Sequence, residues 1–150
     1  MLRLSKKADY ALMAMKHLAL RGDRGSSSAR EIAEQYDIPI ELMAKVLQRL
    51  VQHGLLASHQ GTRGGYQLSR LPRQITVADV IQAIDGPVTV TACSSDDENC
   101  DQFAKCNVRD PLWRVRERIL AALGECTIAE LAADPPPPAP ARAAVLHTHL

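Results

Sequence analysis

Aromatic residues are nearly missing from this chain: one Phe, one Trp and three Tyr in 150 residues, 3% of the total. A core therefore has to be built from Leu, Ile, Val, Ala and Met, which favours helices. Long apolar runs are missing too. The opening 22 residues are interrupted by Asp9, Lys16 and His17, unlike a secretory signal. No stretch approaches the roughly 20 apolar residues of a membrane span. A cytoplasmic protein without a membrane partner is expected. Ser/His/Asp, HExxH and phosphate-loop patterns are also lacking, so an enzyme is not expected.

The net charge of +1 hides an asymmetry. Residues 1–75 carry 12 Lys+Arg against 6 Asp+Glu, net +6, and residues 76–150 carry 6 against 11, net −5. A basic front suits a polyanion, because each phosphate neutralised releases counterions. Unequal solvated helix faces give the same numbers.

Residues 5–21 read as an amphipathic helix, with Ser5 as N-cap and Ala8, Leu12, Met15, Leu18 and Ala19 as its apolar stripe. Ser28 and Glu31 form an S-x-x-E capping box for a second helix from Ala29 to about Tyr36. Asp37-Ile38-Pro39 breaks it. A third helix follows, with Leu42, Val46, Leu47 and Leu50 buried and Gly54 as the stop. Two short helices joined by a tight turn make a helix-turn-helix candidate, though helical hairpins of other kinds look alike. Residues 55–59 and 66–68 then read as strands around the tip Gly61-Thr62-Arg63-Gly64-Gly65, a hairpin. Helix, helix and hairpin is the winged-helix order.

Thr76 and Asp79 cap a fourth helix with Val77, Val80, Ile81 and Ile84 apolar, ending at Gly86-Pro87. Asp110-Pro111 opens a fifth helix, Asp as N-cap and Pro at its first position, with the stripe Leu112, Val115, Ile119 and Ala122. Thr127 and Glu130 cap a last short one. The expected organisation is a winged helix-turn-helix domain over 1–75, a connecting helix over 76–91, a cysteine loop over 92–107, a long and a short helix over 108–133, and a proline-rich disordered tail over 134–150. The fold class is mostly α.

In a helix-turn-helix the second helix presents its first residues to base edges. The candidate DNA contacts are Ser28, Pro39, Glu41, Leu42, Ala44, Lys45, Gln48 and Arg49, with Gln60 and Arg63 on the wing. Lys45, Gln48 and Arg49 carry donors for guanine, adenine or phosphate, and Glu41 can accept from cytosine. Arg63, among glycines, can reach a narrow minor groove.

Cys93, Cys100 and Cys106 are spaced C-x6-C-x5-C in a loop without histidine. Soft thiolates select zinc, copper(I) or iron–sulfur clusters. Zinc sites favour tight C-x2-4-C pairs, so the wide spacing favours a cluster over zinc. A fourth ligand has to come from elsewhere: Asp110, Asp101, Asp96, Asp97, or Asp9 of another subunit. Cys126 stands apart and reads as a buried single thiol.

The opening Leu4–Ala11, the wing Gly61–Tyr66, the run Val80–Gly86 and the triple cysteine followed by Leu112-Trp113 together resemble the IscR/NsrR family of bacterial winged-helix regulators over about residues 1–133. The Lys6–Tyr10 segment is similar to that of regulators of SUF-type iron–sulfur assembly operons. The resemblance implies a homodimer paired through a long dimerisation helix, about residues 111–124. It implies a repressor binding double-stranded DNA at a pseudo-palindromic operator, with a cluster (2Fe–2S rather than 4Fe–4S) on Cys93, Cys100 and Cys106. Iron–sulfur assembly proteins would supply that cluster. IscR-type members place a histidine ligand where this chain has Arg109, and NsrR-type members place a first-helix aspartate where it has Asp9, which ranks Asp9 first and Asp110 second as fourth ligand. Gln60 stands where IscR-type wings carry arginine, and Arg63 substitutes from the tip. The rival readings are a cluster-free family member sensing a small molecule or partner, and an iron–sulfur electron-transfer protein.

Overall fold

The computed structural model describes residues 3–22, 25–62, 64–90 and 100–133. Arg63, Cys93, Asp96, Asp97 and the proline-rich tail lie outside these. The described chain has six α-helices and one two-stranded antiparallel sheet, the mostly helical winged-helix fold expected.

Helix α1 spans Lys6–Arg21, and the Ser5 hydroxyl accepts from the Ala8 amide as its N-cap. Its buried face is Ala8, Ala11, Ala14, Met15 and Leu18. That face is rotated from the expected stripe, because Leu12 and Ala19 are only half-buried. Three small residues on one side let α4 and α6 pack close to the α1 backbone.

Helix α2 (Ala29–Gln35) begins as expected at Ser28, whose hydroxyl accepts from the Glu31 amide. The reciprocal half of the capping box is not made. The Glu31 carboxylate instead accepts from Arg21 at 3.1 Å, tying α2 to the end of α1. The turn into α3 passes through Asp37 at φ 52°, a left-handed conformation that aspartate tolerates better than most side chains. Ile38 is buried there, and its amide donates to Ala33 O at 2.9 Å. Helix α3 (Ile40–Gln52) buries Met43, Val46, Leu47 and Leu50. Met43 takes the core position expected for Leu42, which is only half-buried.

Strands β1 (Leu56–His59) and β2 (Gly65–Leu68) pair with Leu56 opposite Leu68 and His59 opposite Gly65. On its far side β2 meets the loop before α2: Ser27 and Tyr66 exchange backbone hydrogen bonds of 3.0 and 2.7 Å. Gly65 permits this approach, since a Cβ there would lie 2.6 Å from the Ser27 carbonyl.

Helix α4 (Val77–Asp85) has the expected Thr76/Asp79 capping box, both halves formed. Helix α5 (Arg109–Glu125) starts two residues earlier than expected. Val108 is its N-cap, with the Leu112 amide donating to Val108 O. Asp110 is therefore not the cap. It stands in the first turn, where its carboxylate pairs with Arg109 Nε at 3.2 Å. Pro111 becomes the third helical residue, still among the amides that have no intrahelical acceptor. No residue of α5 is buried.

Helix α6 (Ile128–Ala132), capped by Thr127 and Glu130 as expected, returns to the first domain. Val77 N–H donates to Cys126 O and Ile128 N–H to Ile75 O, both at 2.8 Å. Ile128 is fully buried in the core that holds Met15, Ile32, Leu47, Leu50 and Ile75. Cys126 beside it is half-buried rather than buried. Among the described residues no helix is long and apolar enough to cross a membrane.

Candidate nucleic-acid interface and cysteine loop

Along α3, at 100° per residue, Ala44, Gln48, Glu41 and Lys45 follow one another around the side away from the core. Pro39, Glu41, Lys45, Gln48 and Arg49 are exposed, while Leu42 and Ala44 are half-buried. This ridge is flanked on both sides. On one flank Gln48 Nε2 donates to the Tyr66 hydroxyl at 2.9 Å, joining the recognition helix to the wing. On the other, Arg49 Nε donates to the Ala83 carbonyl of α4 at 3.0 Å, which orients that guanidinium toward α4. Ser28 is spent on capping α2. Gln60 is exposed just after β1.

Tyr66 was not among the expected contacts, although it lies within the wing motif. Its role becomes visible only when the hairpin folds over α3. A second polar group braces the wing from behind. His17 Nδ1 lies 3.1 Å from the Tyr36 hydroxyl, and His17 Nε2 lies 3.4 Å from the hydroxyl of fully buried Ser27. The His17 and Tyr36 rings meet edge to face, centroids 5.6 Å apart. Burial, and then the nearby Arg21, lower the His17 pKa below 6.5, with Glu31 opposing. Burial raises that of Tyr36. Both groups are thus held neutral, as a neutral hydrogen-bond chain requires.

Cys100 and Cys106 bracket a single 3-10 turn, Phe103–Lys105. Both are free, half-exposed thiols, and Cys100 Sγ lies 3.7 Å from Gln102 Oε1. Among the described residues no three His, Cys, Asp or Glu side chains come together as a metal site. Cys93 lies outside them. Two accessible soft donors one turn apart suit a thiophilic metal or cluster. The turn is clasped to the head of α5: the Arg109 guanidinium stacks 4.1 Å above the Phe103 ring, and one of its terminal nitrogens donates to Phe103 O at 3.2 Å. Farther along, Arg116 Nε donates to Val88 O at 3.0 Å, fixing α5 to the segment leaving α4. Asp9 is half-buried in the first turn of α1, and Asp110 is exposed. Burial, then a hydrogen bond that the thiol donates to the Glu130 carboxylate and the charge of that carboxylate, push the Cys126 thiol up, so it stays protonated.

A helix-turn-helix whose second helix is bonded to a β-hairpin is a winged-helix DNA-binding unit. The family described as Rrf2, iron-dependent transcriptional regulator, matches residues 4–134. The HTH-type transcriptional regulator IscR of Xenorhabdus nematophila is 36% identical over 131 residues, covering 87% of this chain and 79% of that protein. Its namesake from Sodalis glossinidius is 37% identical over 134 residues, 89% and 80%. Among solved structures, CymR, the global cysteine regulator of B. subtilis, superposes with a TM-score of 0.75 at 29% identity, covering 91% of this chain and 100% of that one. T. potens IscR gives 0.68 at 28%, covering 87% and 85%. The chain belongs to the Rrf2 family and is a DNA-binding transcriptional regulator of the IscR type.

Proposed function

We propose that this protein is a homodimeric repressor that reports iron–sulfur status, carrying a 2Fe–2S cluster on Cys93, Cys100 and Cys106 and controlling iron–sulfur assembly genes. The observation that carries this reading is the pair of accessible thiols on a turn stacked against the first residue of α5. A bound cluster would supply iron that oxidants, nitric oxide or iron shortage can remove. Arg109 then passes the state of the turn to α5, and Arg116 passes it on to the segment after α4. Asp9 of the partner protomer is the first choice for a fourth ligand and Asp110 the second. The absence of any buried residue on α5, with Val115 exposed and Ile119 half-buried, suits a helix that pairs across a two-fold axis. Base contacts fall to Glu41 and Gln48 and to Arg63 of the wing, with Lys45 beside them on the DNA backbone, over a pseudo-palindrome with half-sites about one helical turn apart.

Iron and acid-labile sulfide measured on anaerobically purified protein, alongside operator gel shifts of the wild type and the Cys93/Cys100/Cys106 triple serine variant, test this. Two irons and two sulfides per protomer are expected, with holo and triple-serine forms differing about 5- to 150-fold in operator affinity. Absence of sulfide would overturn the cluster. A second reading, a cluster-free regulator answering a small molecule or a protein, draws on the likeness to CymR, described as a cysteine regulator. It predicts metal-free protein with full operator affinity.

A further inference from the structure

On the flank of α3 away from the wing lies a cleft of about 280 Å³, lined by Lys7, Leu42, Lys45, Val46, Arg49 and Ile84. Three cations from two helices ring it, over a floor of aliphatic side chains from α3 and α4. Among the described residues none of the three forms an ion pair, whereas Arg21, Arg30 and Arg109 all do. Of the two acids that adjoin lining residues in sequence, Asp85 turns its carboxylate to the Ser5 amide and hydroxyl, and Glu41 lies on the exposed ridge. Arg49 is held from behind by Ala83 O, which fixes the guanidinium at the rim instead of letting it swing into solvent. Lys7 stands in the first turn of α1, where the positive end of a 16-residue helix adds to its charge.

Such a cleft takes a phosphate group. Its place in the fold says which one. The exposed ridge Glu41–Lys45–Gln48 lies between the wing and the cleft, so a duplex whose major groove receives that ridge presents one backbone strand to the wing and the other to Lys7. We propose that the Lys7/Lys45/Arg49 cleft seats a backbone phosphate of the operator, with Lys7 of α1 as a DNA contact outside the helix-turn-helix. The inference rests on the DNA-binding reading above. It adds a contact that fixes register without reading sequence.

The test compares Lys7→Gln with wild type by fluorescence anisotropy on operator and on scrambled duplex across a salt series. Lys7→Arg serves as the charge-preserving control. Lys7→Gln is expected to weaken both duplexes by a similar factor and to lower the steepness of the log K against log salt plot by about one unit per half-site. Lys7→Arg should restore both. A neutral methylphosphonate scanned along the operator backbone should cost the wild type affinity at one position per half-site and cost Lys7→Gln less there, since Lys45 and Arg49 remain. If Lys7→Gln matches wild type on both duplexes and in salt slope, the cleft is not a DNA contact. Inorganic phosphate binding to free protein with an unchanged DNA salt slope would assign the cleft to a small anion and overturn the proposal. Failure of the wild type to bind any duplex would remove the DNA-binding reading itself, and this proposal with it.

Discussion

The side-chain amide of Gln48, midway along the recognition helix, donates to the phenolic oxygen of Tyr66 on the wing at 2.9 Å. One bond therefore sets the spacing between the two parts of the interface that reach DNA. Tyr66→Phe deletes it and leaves the ring. The net stability loss should be about 0.5–1.5 kcal/mol. Operator affinity should fall by a few-fold, because Gln48 and the wing must then be ordered on binding. A thermal melt and an anisotropy titration of the same preparation check both numbers.

Gly65, like Gly64 beside it, carries one of the closest backbone approaches described. An added methyl would sit 2.6 Å from both the carbonyl carbon and the oxygen of Ser27. Gly65→Ala should push β2 off the Ser27 segment and cost about 1–3 kcal/mol by overpacking. In urea titrations the midpoint should drop with little change in slope, while Gly61→Ala, where nothing lies within 4 Å of the added carbon, loses only the strain of its own φ of 116°.

His17 makes stability depend on pH in a definite direction. Its pKa in the folded protein lies below 6.5, the value expected once unfolded. Above 6.5 both states hold a neutral ring, and its contribution is complete. As pH falls through 6.5 the unfolded chain takes up a proton that the folded one refuses, so stability declines until the folded pKa is passed. Denaturation midpoints between pH 5 and about 7.5 should show this slope. His17→Gln should flatten it while keeping a partner for Tyr36.

The face of α5 offers a test of the proposed dimer. Val115→Glu with Ile119→Glu places two carboxylates on a helix of which no residue is fully buried by the described chain. Sedimentation should show the wild type at twice the monomer mass and the variant at the monomer mass, with helical content unchanged. A wild type that sediments as a monomer would remove the two-fold pairing.

Local signals carried the sequence reading furthest. Thr76/Asp79 and Thr127/Glu130 form the expected reciprocal caps because every partner lies within four residues. Ser28 caps α2 for the same reason, but Glu31 departs because Arg21, ten residues away, competes for its carboxylate. The rotation of the α1 and α3 stripes is likewise tertiary: alanines at 11 and 14 face the interior because α4 and α6 approach there, a fact no periodicity records. Asp110 failed as a cap because the stacking of Arg109 on Phe103 draws the preceding residue into the helix. Of the three cysteines singled out by spacing, Cys100 and Cys106 flank one turn and Cys93 lies outside the described residues. The brace of His17, Ser27 and Tyr36 and the link from Gln48 to Tyr66 were not legible in the sequence, since each joins residues ten or more positions apart.

The place of Ile128 sets an order of events during synthesis. It is fully buried in a core whose other buried members all precede residue 84, and replacing it with alanine should cost about 2–5 kcal/mol. A ribosome that has delivered both the helix-turn-helix and the hairpin still holds back the last plug of their interior. By the time that plug emerges, Cys93, Cys100 and Cys106 have already been translated. A partly made chain thus lacks a completed DNA-binding core until its last described helix has been translated.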